Sequence, residues 1–265
     1  MRHARRPRRE YNRVRVVPIR LAVRIVGVDL SLERIEAART RIDPVFLDSP
    51  QFVDERLSAE LGCEVVVKVE TLNPIGSFKG RGTWLVAEEL DDERTWVCAT
   101  AGNFGQGLAY AARARGARVH VFAAADAPQR KVERMRALGA EVDVSDRAEA
   151  AARSYTDAAA DQRVLVKDGL APAIAEGAGT IGVELERAGP LDTAVVQIGD
   201  GALISGVARW LKSRDPRIRV IGVCASGAPA MARSFDAGRP VAVEGTGTIA
   251  AALSITDPVP SPSSA

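Results

Sequence analysis

From residue 61 onward the chain alternates short β-branched runs with alanine-rich stretches of helical period, and few folds accommodate that alternation. Extended runs read at Val65–Val69, Thr95–Ala99, Val119–Ala123, Glu141–Val144, Val164–Val166, Thr193–Gln197 and Arg219–Cys224. Between them lie helical stretches at Phe78–Glu89, Phe104–Arg115, Gln129–Leu138, Ala148–Asp161, Ile174–Arg187, Leu203–Ser213 and Pro229–Asp236. Gly116, Gly139 and Gly189 follow periodic runs and read as helix stops. Strand, crossover helix, strand means parallel pairing, hence an α/β fold whose ligands bind at the carboxyl ends of the strands.

Aromatic residues make up 5% of the 265, so Ala, Val, Leu and Ile must fill the core. A formal charge of +2 gives no overall attraction to nucleic acid or acidic membranes. Eight arginines crowd residues 1–20 against the single acid Glu10, and this arm reads as a disordered extension. No long apolar run follows it, so it is neither a signal peptide nor a membrane anchor. Cys63, Cys98 and Cys224 form no CxxC pair, and buried free thiols of a reducing cytoplasm are expected. With only His3 and His120, a histidine zinc site or a Ser–His triad is excluded in practice, and His120 reads as an ordinary strand residue.

Three loops have unusual composition where strands end and helices begin. The first runs from Glu70 to Gly82 and contains Asn73-Pro74, Gly76, and Ser77 as an N-cap. Lys79 falls in the first turn of the helix that follows. The positive end of the helix dipole there, about half a charge, should lower its pKa and favour a nucleophilic amine. The second, Ala99 to Gly107, is a small-residue loop that offers backbone N–H groups to an anion. The third, Gln197 to Leu203, has the glycine-rich backbone of a phosphate cradle, with neither a GxGxxG nor a Walker signature.

Gly76-Ser-Phe-Lys-Gly-Arg-Gly82, preceded by Lys68-x-Glu70, resembles the cofactor-lysine signature of the fold-type II pyridoxal-phosphate (PLP) enzymes, the superfamily of threonine and serine dehydratases, serine racemase and cysteine synthase. That resemblance implies two open, mostly parallel twisted sheets flanked by helices, as in the tryptophan synthase β-subunit. It makes Lys79 the residue that forms the Schiff base with PLP and shuttles the α-proton, with Phe78 against the pyridine ring. Thr100, Gly102, Asn103, Gln106 and Gly107 match the family's S-x-G-N-H-x-Q-G motif. Thr100, Ala101, Gly102 and Asn103 would then bind the substrate carboxylate, and Asn103 the cofactor's phenolic oxygen. Gly199, Asp200, Gly201, Ala202 and Leu203 resemble the tetraglycine phosphate loop, with the Asp200 side chain expected outward, away from the phosphate.

The resemblance points to α,β-elimination of water from threonine or serine, giving a 2-oxo acid and ammonia. Ala101 stands where racemases place a serine base, and Phe104 where dehydratases often have histidine, so Lys79 would work from one face. Asn73-Pro74 is more typical of threonine and cysteine synthases, which keeps β-replacement or threonine synthase chemistry as an alternative. Cys224 occupies the place of the acid that begins the racemases' metal site, so no metal is expected. A small amino-acid substrate and, by analogy, a homodimer are implied. The domains would be 21–94 with 174–265 (large) and 95–173 (small). The match runs from about residue 30 to 258, and the Pro/Ser-rich end from Asp257 reads as unstructured. Relatives continue further, so the large domain is expected to be incomplete. An inactive remnant that only binds PLP or a partner is the alternative from another class.

Overall fold

The computed structural model describes residues 15–16, 30–100, 102–245 and 247–258. Most of the arginine-rich arm, Ala101 and the end of the Pro/Ser run lie outside the described residues.

A four-stranded parallel sheet forms the centre of one half, in the order β6 (Glu141–Ser145), β5 (Val119–Ala124), β4 (Thr95–Thr100), β7 (Arg163–Leu165). The second sheet pairs β8 (Thr193–Gln197) with β9 (Arg219–Cys224) in parallel, and β1 (Arg15–Val16) adds to β9 antiparallel. These are the two mostly parallel sheets that the alternation and the resemblance imply. A small antiparallel ribbon, β2 (Gln51–Val53) with β3 (Val66–Lys68), precedes the lysine loop.

Helices α3 (Lys79–Glu88), α4 (Asn103–Arg115) and α7 (Pro172–Glu186) carry the largest core cluster together with one face of the four-stranded sheet, where Trp96, Phe104, Leu108 and Ile174 are almost fully buried. Helix α5 (Gln129–Ala137) joins this cluster through Val132 and Met135. The opposite face packs on α6 (Ala148–Asp157) through Val97, Phe122 and Ala152. Helix α8 (Ala202–Arg214) lies with α7, α1 (Leu32–Arg41) and the second sheet around Trp210, Leu211 and Val220. Helix α9 (Ala230–Ala237) follows β9.

The elements read from sequence are present, with ends moved by at most four residues and with β8 and β9 unmoved. Helix α6 stops at Asp157 because residues 158–161 fold into tight turns, Gln162 N–H bonding Ala159 O at 2.9 Å. Before residue 61 the pattern names no element, yet α1, β2 and α2 (Glu55–Leu61) form there. They are short, and α2 buries no residue, so periodicity is weak. Cys98 and Cys224 are buried and Cys63 is exposed, all three free. His120 stacks on Phe122 at 4.7 Å, as an ordinary strand residue can. Among the described residues no helix is long and apolar enough to cross a membrane.

Helices α7 and α8 cross with no room for a side chain. A Cβ on Gly206 would lie 2.0 Å from Ala175 O and 2.6 Å from Gly179 N, both backbone atoms that cannot step aside. Gly206→Ala should therefore cost about 1–3 kcal/mol, read as a lower urea midpoint with an unchanged slope.

Candidate active site around Lys79

The loop before α3 is shaped by its own residues. Asn73 Nδ2 donates to the carbonyls of Glu70 and Ser77, and its Oδ1 accepts from the N–H groups of Ile75 and Ser77. Its side chain is therefore used up in forming the turn. Ser77 Oγ accepts the Lys79 N–H at 3.3 Å, but the N-cap of α3 is Phe78, one residue later than expected of Ser77.

Two residues further on, Arg81 is completely buried and spans Glu70 at 2.8 Å and Glu184 of α7 at 2.5 Å, with Thr180 Oγ1 at 2.9 Å. Lys68 reaches the same Glu184 at 2.5 Å, and Ser49 donates to Glu70. The charged residues of the Lys-x-Glu and Lys-x-Arg-Gly segments thus divide by role. Lys68, Glu70 and Arg81 pin the loop to α7, while Lys79 turns to Asp168 and Asp200.

Lys79 is itself buried, 8% exposed. Its ammonium lies 2.8 and 2.9 Å from the two oxygens of Asp168, 2.5 Å from Asp200 Oδ2, and 5.5 Å above the Phe78 ring. This corrects two expectations. Burial alone would lower the Lys79 pKa, but Asp168 and then Asp200 outweigh it, and the amine is held above its ordinary range rather than below. The Asp200 side chain also points in rather than out: Oδ2 meets Lys79 and Oδ1 accepts the Ala202 N–H at 3.0 Å. Asp168 is pushed up to about 7 by burial, with Lys79 drawing it back and Asp200 adding to the rise. Burial would raise Asp200 too, but the Lys79 charge and the Ala202 N–H hold it low.

The third loop owes its glycines to geometry. Gly201 has φ +98° at the start of α8, and a Cβ on Gly199 would stand 2.9 Å from Ala252 O. Ala202 and Leu203 are buried in the first turn. In the second loop, Gly102 N–H donates to Thr100 Oγ1 at 3.1 Å, and Gln106 Nε2 reaches Asn103 Oδ1 at 3.4 Å. Gly105 and Gly107 serve packing, since a Cβ would strike Met135 and Thr83 respectively. Lys131 of α5 lies across this loop: a Cβ on Gly102 would be 2.3 Å from its Cδ and 2.8 Å from its Nζ. Burial lowers the Lys131 pKa.

Sequence reasoning missed Asp168 and Lys131. Asp168 follows β7, and Lys131 stands in the first turn of the helix after β5, so both obey the strand-end rule that located the three loops. Neither lies in a glycine-rich segment, which is why composition passed them over.

A family profile described as "Pyridoxal-phosphate dependent enzyme" matches residues 47–264. The chain belongs to that family. Its curated relatives include an L-threonine ammonia-lyase of Thermotoga maritima, 35% identical over 238 residues, which cover 86% of this chain and 59% of that protein. A putative threonine dehydratase of Sinorhizobium fredii is 35% identical over 82% of this chain and 67% of its own length. Among solved structures, a threonine deaminase from T.th. superposes with a TM-score of 0.79 at 31% identity, covering 86% of this chain and 76% of that one. Maize serine racemase gives 0.79 at 30% identity, with 86% and 71% covered. This PLP-family chain spans 59% and 67% of those two curated relatives and 38% of another, a threonine dehydratase of Arabidopsis thaliana.

The site's own residues fit PLP. A buried primary amine stands beside a glycine-rich loop at the start of a long helix, and that helix start already accepts an anion, the Asp200 carboxylate on Ala202 N–H. An aromatic ring, Phe78, borders the amine.

Proposed function

We propose that this chain is a PLP-dependent ammonia-lyase for a small hydroxy-amino acid, L-threonine or L-serine, releasing a 2-oxo acid and ammonia. The observation that carries the reading is Lys79: one buried amine where the lysine loop meets the glycine-rich start of α8, in a chain 35% identical to a threonine ammonia-lyase. Bound PLP supplies the electron sink for charge left at Cα.

Lys79 Nζ would hold the cofactor and, once it has given up its ammonium proton, would take the Cα proton from one face. Phe78 and Asn103 would help to hold the cofactor, Phe78 through its ring and Asn103 through its side-chain amide. Backbone N–H groups of Gly199, Asp200, Gly201, Ala202 and Leu203 take the phosphate, and Thr100, Gly102 and Asn103 the substrate carboxylate. The four-stranded sheet belongs to a small domain, 95–173, and the remainder to the large one. A homodimer in the cytoplasm completes the reading, consistent with three free cysteines.

The purified chain, supplied with PLP and L-threonine or L-serine, should release ammonia and 2-oxo acid in equal amounts. Turnover only with O-acetylserine plus sulfide, or with O-phosphohomoserine, would replace elimination by the other chemistries. Cofactor binding with no turnover of any of these would leave a remnant.

Lys131 supplies the positive charge over the carboxylate loop. Lys131→Met should raise KM for the amino acid about tenfold, the loss of one hydrogen bond to a charged group, with kcat within about a factor of two. Equal losses in kcat and kcat/KM would instead place Lys131 in the chemical step.

A further inference from the structure

Two carboxylates face one ammonium in this site. Asp168 holds Lys79 through both oxygens, so Lys79 keeps an ion-pair partner if Asp200 moves away. Asp200 sits between two groups that attract negative charge: the Lys79 ammonium and the Ala202 N–H at the start of the thirteen-residue helix α8. Its backbone neighbours, Gly199 and Gly201, are the glycines of the cradle itself. Its side chain is 26% exposed, so it has solvent to turn toward.

We infer that Asp200 is a built-in anion of the phosphate cradle, one that sets how tightly this chain takes its cofactor. The carboxylate supplies the negative charge that helix α8 and Lys79 attract, and a phosphorylated cofactor takes those donors only by displacing it. Swung outward, Asp200 leaves Lys79 paired to Asp168, so displacement strands no buried ammonium. Left in place, it sets a full negative charge beside a phosphate of nearly two. Glycine at this position would remove the competitor and keep the backbone donors.

This inference rests on the reading of the site as a PLP site. Its test is cofactor binding to the apo chain, followed by the visible absorbance of bound PLP and by thermal shift, with inorganic phosphate as a second probe of the cradle. Asp200→Gly should bind PLP about tenfold tighter than the parent, as removal of one like charge at close range predicts. Asp200→Asn should also bind more tightly, and it decides the matter should the glycine variant not fold by circular dichroism. Inorganic phosphate should raise the melting temperature of Asp200→Gly and leave the parent unchanged. Equal PLP affinity in parent and variants, or weaker binding in the variants, would overturn the inference. If affinities are equal while Lys79→Ala removes the visible band, the Asp200 proposal falls alone. If neither the parent nor the variants bind PLP, the reading of the site falls with it.

Discussion

Lys79→Arg is expected to abolish ammonia release from L-threonine while leaving the fold close to its parent stability, whereas Lys79→Ala loses both. Arginine keeps the positive charge between Asp168 and Asp200, so the carboxylates 2.5–2.9 Å from the present ammonium retain a partner. It cannot become a neutral amine near neutral pH, so it neither bonds covalently to the cofactor nor takes a proton from Cα. The loss should be about a thousandfold or more, the scale of a removed general base and nucleophile. Alanine leaves two partly buried carboxylates facing each other with no cation. That should cost about 1–3 kcal/mol, toward the lower end because both aspartates keep some solvent. Ammonia release and urea midpoints for the three proteins separate the two effects. Turnover by Lys79→Arg within tenfold of the parent would show that another group carries the chemistry.

Arg81→Met should have the largest effect on stability, about 3–5 kcal/mol, because it removes the centre of a buried charge network and leaves its carboxylates behind. Methionine preserves most of the side chain's packing, so the loss reports charge and hydrogen bonding. Glu184 would keep Lys68, but Glu70 would keep only the Ser49 hydroxyl. Lysine should not rescue the site, since a single ammonium cannot reach Glu70, Glu184 and Thr180 together as the guanidinium does. The pH dependence carries the same signature. Burial alone would raise the Glu184 pKa, but hydrogen bonds and charge from Arg81, then Lys68, hold it below the usual range. A depressed folded pKa stabilises above the ordinary glutamate value and is lost as pH falls through the folded one. The gap between parent and Arg81→Met should thus be widest near neutrality and narrow below about pH 4. A gap that does not change on acidification would mean that Arg81 acts through packing alone.

How far the site could be read in advance differs residue by residue. The loop around Lys79 was legible because its signals are local: a strand end, turn residues, a capping serine and a run of glycines. Arg81 and Glu70 were visible only as parts of a motif, since the residue that explains them, Glu184, lies 103 positions from Arg81 on another helix. Asp168 was invisible for the same reason. It meets Lys79 across 89 positions because the sheet order places β7 beside β4, and strand order is not a local property. The charge state of Lys79 came out opposite to the local expectation. A helix start offers about half a positive charge, while the Asp168 and Asp200 carboxyl groups within 3 Å carry more charge at shorter range.

The sequence by itself determined the alternating α/β architecture, the position of Lys79 at a helix start and the glycines of the second and third loops. These follow from periodicity, turn chemistry and backbone freedom, all of which act over a few residues. Only the tertiary structure decided that Lys79 stands as an ammonium between two aspartates, that Asp200 turns in toward it, and that Lys131 lies across the loop at Gly102. Electrostatic interaction depends on distance in space, and the chain brings those charges together only when its sheets and helices have packed.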